Sequence, residues 1–208
     1  MNRWFAQLLS VVLHPSLMGT YLCALALFWG PAEFTQYSES VRMLLVEIVF
    51  IITFLIPTGT VIFLRQRGVV KDLTLPKRED RFAPFLVSLF AYGGAAYYFF
   101  VKLPQVFLLP AIMTTICLAI LATLLLTLFV CKVSAHATGI SGVAGALISL
   151  QQLFPESAFF YPLIGVILLW GLVLSARLAL QAHSLSELLA GSAVGFTVCY
   201  ISLLALAQ

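Results

Sequence analysis

Runs of about 20 apolar residues recur along this chain with few gaps, and that is the length a helix needs to cross a bilayer. They fall at about 4–30, 41–64, 83–101, 104–132, 137–154, 158–176 and 185–206, with Pro31, Pro104 and Pro155-Glu156 marking breaks. Inside hydrocarbon every backbone polar group must be satisfied within the protein, so runs of this length fold as helices. The expected fold is an all-α polytopic membrane helix bundle of six or seven crossings, one membrane-embedded domain over 1–208. Seven is the direct count; six results if the short fifth run does not cross.

Composition excludes the main alternatives. Of 208 residues 62% are hydrophobic and 9% charged, with mean hydropathy +1.08, whereas soluble domains carry about 25% charged residues. A soluble enzyme could not hide that much apolar surface. A net charge of +3 without an aromatic-basic stripe also excludes a nucleic-acid partner. Cys23, Cys117, Cys131 and Cys199 all lie in apolar runs without metal-ligand spacing and read as small buried hydrophobes. The run from Trp4 to Trp29 is too long for the core of a signal peptide and reads as the first membrane helix. Its His14-Pro15 pair reads as a kink rather than a ligand.

Polar residues gather in three islands. The first, RQRGVVKDLTLPKREDR at 65–81, holds six of the eleven basic residues. The second is KVSAHATG at 132–139, and the third SARLALQAHSLSE at 175–187. Two crossings separate the first island from the second, and two more the second from the third. An even number of crossings returns the chain to the same side, so all three islands meet at one membrane face.

The third island spaces Arg177, His183 and Glu187 as R-x5-H-x3-E. On a helix His183 and Glu187 are facing neighbours, and a carboxylate there fixes the tautomer of the imidazole and raises its nucleophilicity. Arg177 can grip phosphate oxygens with two parallel N–H groups. The same stretch also reads structurally: Ser184-x-x-Glu187 is a capping box, and Arg177 a residue snorkelling at a helix end. In the second island Ser134 and His136 stand at the mouth of a helix, where free backbone N–H groups favour anions and a histidine can act as general acid; the same pair also reads as a hydroxyl cap with an interfacial histidine. The first island supplies Lys71, Arg78 and Arg81, which can reach a phosphate or simply contact anionic headgroups. No cluster has metal-ligand spacing, so no cofactor is expected.

In this order the islands resemble the three-part signature of the type 2 phosphatidic acid phosphatase superfamily, the lipid phosphate phosphatases. Lys71 and Arg78 have the spacing of that family's K-x6-R-P motif, with Glu79 in place of proline; Arg81, followed by Pro84, is the alternative arginine. Ser134-Ala135-His136 is similar to its P-S-G-H, with alanine for glycine. Ala176-Arg177, His183 and Glu187 are similar to its S-R-x5-H-x3-D, with glutamate for aspartate. The resemblance covers about residues 65–195. It implies a metal-independent phosphatase acting on a lipid phosphate, with membrane lipids as its surroundings. His183 would attack phosphorus, Glu187 would orient it and His136 would protonate the leaving alcohol. Lys71, Arg78 or Arg81, Ser134 and Arg177 would hold the phosphoryl oxygens.

Two rival readings come from other classes. Gly139-Ile-Ser141-Gly142 with a later helix opening at His183 is similar to the Ser-His dyad of rhomboid intramembrane proteases, but that dyad uses neither Arg177 nor His136. Gly139 and Gly142 also serve as close helix-packing residues. A carrier or scaffold would tend to show repeats or paired broken helices, and the sequence has neither. On the seven-crossing count the island face carries nine basic residues and the opposite face only Arg42 and Lys102. The positive-inside rule then favours the cytoplasm for that face, although setting aside Lys71, Arg78, Arg81 and Arg177 as phosphate ligands narrows the split to five against two and leaves the outer face open; the membrane expected is a bacterial inner membrane.

Overall fold

A computed structural model describes residues 1–68, 81–104 and 106–207, the side chains of residues 33 and 35 excepted. Among them there is no strand. The helices are α1 (Arg3–Val12), α2 (Met18–Trp29), α3 (Ala32–Thr35), α4 (Glu39–Phe50), α5 (Ile56–Gln66), α6 (Phe82–Lys102), α7 (Leu108–Phe129), α8 (Ala135–Leu153), α9 (Phe160–Ala179) and α10 (Leu185–Leu206). Six segments are long and apolar enough to cross a membrane: Arg3–Trp29, Glu39–Gln66, Phe82–Lys102, Leu108–Phe129, Phe160–Ala179 and Leu185–Leu206. The fold is therefore an all-α integral membrane bundle.

The seventh long helix, α8, falls outside that set because of where it sits. It packs against α2, α7, α9 and α10, and from Ala137 to Leu150 nearly every residue is buried. A helix surrounded by protein need not be oily, so α8 carries Gly, Ala, Ser and Thr where outer helices carry Leu and Phe. Small residues let backbones approach closely. A Cβ on Gly195 of α10 would run into the carbonyl of Thr138, and one on Gly191 would lie 2.7 Å from the Ser134 carbonyl. The α8–α10 contact thus requires both glycines and fixes the N-terminal end of α8 against the start of α10.

The run at 4–30 is one candidate span, Arg3–Trp29, broken into two helices at the His14-Pro15 pair, where the sequence reads a kink. Pro15 has no N–H to give and forces the preceding residue out of the helical region; His14 accordingly has ψ 138°. The chain leaves α1, makes a single 3₁₀ turn at Pro15–Leu17 and restarts as α2. Tyr92 of α6 clamps this turn, its hydroxyl donating to the Ser16 carbonyl at 3.4 Å. Gly19 makes room for the same phenol, since a Cβ there would overlap the ring.

The second crossing is continuous from α4 to α5 through a π-helical stretch, Ile51–Leu55. Such stretches cost hydrogen-bond geometry and tend to occur where a side chain must be re-aimed. Thr53 in this stretch is fully buried, bonded to the Val49 carbonyl at 2.8 Å and 3.4 Å from the Thr20 hydroxyl of α2. A buried polar contact therefore joins the second crossing to the helix that follows the 3₁₀ turn.

Candidate functional site

The site lies where the N-terminal end of α8, the C-terminal end of α9, the turn into α10, Arg81 and the His14–Ser16 turn converge. They enclose a cavity of about 180 Å³ whose wall includes His14, Arg81, Ala135, His136, Arg177 and His183. Three imidazoles and two guanidiniums face one small space.

His183 is delivered by the way α9 ends. The Gln181 N–H donates to the Leu178 carbonyl at 2.9 Å and the Ala182 N–H to the Arg177 carbonyl at 3.1 Å. This pair of bonds is the Schellman pattern, which places the intervening residue in the left-handed region. Gln181 occupies it at φ 53°, where glycine is the usual choice. The reversal sets His183 beside the first turn of α10. There Nδ1 of His183 lies 2.7 Å from Oε2 of Glu187. A carboxylate oxygen only accepts, so Nδ1 carries the hydrogen and Nε2 keeps its lone pair.

Glu187 also accepts the Ser184 N–H at 3.3 Å through the same oxygen, while the Ser184 hydroxyl accepts the Glu187 N–H. The capping box and the His–Glu contact coexist. Burial lowers the pKa of His183 from its ordinary 6.5; the bond to Glu187 raises it, and the charges of Arg81, Arg177 and Lys132 lower it again. The ring is thereby held neutral.

His136 stands in the first turn of α8, with Nε2 3.0 Å from the carbonyl of Ser10 at the end of α1. A carbonyl also only accepts, so Nε2 bears a hydrogen and Nδ1 is the atom left for chemistry. Arg177 donates through one terminal nitrogen to the Ser10 hydroxyl at 3.2 Å. Its Nε is buried with no hydrogen-bond partner among the described residues. Arg81 is 7% exposed and donates to the Val133 carbonyl at 2.8 Å, at the entrance to α8.

Ser134 takes a different place from its neighbours. It is fully buried, and its hydroxyl accepts the Ala137 N–H as the cap of α8 at 3.5 Å; the cavity wall is formed by Ala135 and His136 instead. Lys71 and Arg78 lie outside the described residues. Ser141 is fully buried and donates to the Thr138 carbonyl at 3.2 Å, while His183 is engaged by Glu187, so the rhomboid-type Ser–His pairing is not formed.

Two residues belong to the site that the sequence analysis did not place there, Ser10 and His14. Ser10 binds both His136 and Arg177. The His14 ring meets the His136 ring edge-to-face, centroids 5.7 Å apart. The available signal was a polar pair at i and i+4 inside an apolar run, and intramembrane ionisable residues are functional suspects by default.

Among the described residues no set of three His, Cys, Asp or Glu side chains is placed to hold a metal ion. Guanidiniums and imidazole N–H groups beside the first N–H groups of α8 make instead an environment for a small anion. No family model, curated protein or solved structure matches this chain.

Proposed function

We propose that this protein hydrolyses the terminal phosphate of a membrane lipid through a phosphohistidine intermediate. The observation that carries the reading is the His183–Glu187 contact at the rim of a cavity lined by Arg81 and Arg177. A neutral imidazole with a free Nε2, held by a carboxylate among cations, suits attack on phosphorus.

In the first step the Nε2 lone pair forms a bond to phosphorus while the ester P–O bond breaks. His136, held through Nε2 by Ser10, takes on Nδ1 the proton of a phosphate that binds as its monoanion and passes it to the departing oxygen. The cationic phosphohistidine is balanced by Glu187. Water then attacks phosphorus, His136 accepts a proton from it, the P–N bond breaks and inorganic phosphate leaves. Arg81 and Arg177 stabilise the charge on the phosphoryl oxygens, with Lys71 and Arg78 as further candidate phosphate contacts.

A lipid as substrate is supported by a second cavity, about 90 Å³ and mostly apolar, which shares Pro15, Ser16, Phe85, Ser88 and Ala135 with the first and continues to Cys199. An alkyl chain would be accommodated there while its phosphate remained among the cations. We place the site on the cytoplasmic face of a bacterial inner membrane from the excess of basic residues on the island side.

The test is phosphate release from a panel of lipid phosphates by purified protein in detergent, with and without chelator. Activity that survives chelation and is inhibited by vanadate, a mimic of five-coordinate phosphorus, is expected. Activity lost on chelation and rescued by magnesium would contradict the mechanism.

A further inference from the structure

Two helices that flank α8 leave a gap between them. Both α2 and α9 pack on α8, and α1 packs on α9, but α2 and α9 do not run along each other. The gap is an apolar groove of about 380 Å³. Ile140 and Val143 of α8 form its floor, Tyr21 and Leu25 one wall, and Gly165 and Leu169 the other. Val12 and Leu13, directly before His14, close one end. A Cβ on Gly165 would meet nothing within 4 Å, so that wall is unpacked.

Size and chemistry say what fills it. The walls belong to two membrane-crossing segments, Arg3–Trp29 and Phe160–Ala179, so the groove opens onto hydrocarbon. The one hydroxyl among its lining residues, that of Tyr21, is already donated to the Val12 carbonyl at 2.8 Å. A further helix is too large: about 10 Å across, it would take up roughly 800 Å³ along the stretch from Pro162 to Leu169. An alkyl chain fits. The far end of the groove, at Leu25 and Pro162, lies one turn from Trp29 and next to Tyr161, both exposed. Exposed tryptophan and tyrosine mark headgroup level, and the Ala158 N–H, donating to the Trp29 carbonyl, joins these two ends. They face away from the catalytic cavity, which lies at the Arg177 end of α9.

We propose that the groove holds one alkyl chain of a phospholipid from the leaflet facing away from the catalytic cavity, and that this chain braces the end of α1 and the His14–Ser16 turn. Its tip rests against Val12 and Leu13. Two residues before Val12 stands Ser10, bonded to Arg177 at 3.2 Å and to His136 at 3.0 Å. A filled groove supports the end of α1 from the α2 side, so Ser10 stays in reach of Arg177. An empty one forfeits those dispersion contacts and lets the turn settle into the gap. The pocket for the substrate chain shares only Met18 and Val143 with this groove, so the two chains occupy distinct sites. The effect on catalysis rests on the phosphatase reading above; the binding does not.

Native mass spectrometry of the gently solubilised full chain should show one retained phospholipid. Gly165→Leu puts a side chain into the groove without a clash. It displaces about two methylenes, each worth about fourfold in affinity, so retention should fall about tenfold or more. No lipid on the wild type, equal retention by Gly165→Leu, or a dimer that this substitution dissociates would overturn the binding. For the bracing, wild type stripped of lipid is assayed with water-soluble p-nitrophenyl phosphate. KM should rise several-fold with kcat little changed, as for loss of one hydrogen bond, and recover on adding phosphatidylcholine, which has no phosphomonoester. In Gly165→Leu the leucine stands in for the chain, and KM should not respond to the lipid. A wild-type KM indifferent to lipid, or a Gly165→Leu KM that still responds, would overturn the bracing. Absence of phosphate release by either protein would instead overturn the phosphatase reading. Hydrogen exchange separates the two failures: backbone exchange across 10–16 should quicken in stripped wild type but not in Gly165→Leu, and an unchanged rate in wild type would overturn the bracing whatever the turnover.

Discussion

His183 Nδ1 and Glu187 Oε2 stand 2.7 Å apart, and the oxygen that meets the imidazole is also the one that closes the capping box of α10. One carboxylate thus anchors the helix start and orients the ring. Substitution separates these roles. Glutamine can still accept the Ser184 N–H but cannot balance a cationic phosphohistidine. Glu187→Gln should keep its thermal transition in detergent while turnover on the best lipid substrate falls at least about tenfold, equivalent to about 1.4 kcal/mol of transition-state stabilisation. Glu187→Asp should retain much of the activity. Full turnover in Glu187→Gln would leave the residue as a cap alone.

His136 is expected to matter according to the leaving group. An aryl phosphate, whose alcohol leaves without much help, needs little protonation of the departing oxygen. First-turnover release of the alcohol by His136→Ala should therefore be nearly normal with an aryl phosphate and strongly slowed with a lipid phosphate. His183→Ala should be inactive on both. Rapid quench over one turnover distinguishes these outcomes, and equal sensitivity of His136→Ala to the two substrates would reverse the assignment of roles.

The acid limb of activity should report on His183. Only the neutral ring attacks, and burial together with the surrounding cations lowers its pKa from 6.5, so activity should persist below the pH at which an ordinary histidine protonates. Lys132 is one of the charges responsible. Lys132→Gln removes a lowering influence, and the acid limb of kcat/KM should move to higher pH relative to wild type on the same substrate. Comparing the two proteins cancels the ionisation of the substrate itself. A limb that stays put or moves to lower pH would contradict the electrostatic account.

Ser10 should act through Arg177. Ser10→Ala removes the hydroxyl that holds the guanidinium at 3.2 Å but keeps the backbone carbonyl bonded to His136. Loss of one such bond costs about 1 kcal/mol, expected as a several-fold rise in KM with kcat little changed. A fall in kcat at constant KM would place Ser10 on the His136 side instead.

Most of the bundle was legible because hydropathy reports lipid contact directly. It reports least where lipid is absent, and α8 illustrates this: enclosed by four helices, it is built from small residues and its apolar signal is weak. The islands at 132–139 and 175–187 were legible as chemistry because their residues are close in sequence. Ser10 and His14 were not, since their partners lie more than a hundred residues away and only packing unites them. Ser134 shows the structural half of its reading, a hydroxyl that caps α8 by accepting the Ala137 N–H. The turn that delivers His183 was hidden as well, because Gln181 occupies the left-handed position that glycine would have announced.

The central claim is that His183 carries phosphorus during turnover, and the most direct measurement is to trap it there. Protein quenched during turnover of a lipid carrying a labelled terminal phosphate should hold label that survives base and is released by acid, as expected for a phosphoramidate bond to histidine. Peptide mapping should place that label on His183, and His183→Ala should carry none. Label absent from an actively turning-over protein, or present undiminished in His183→Ala, would contradict the account.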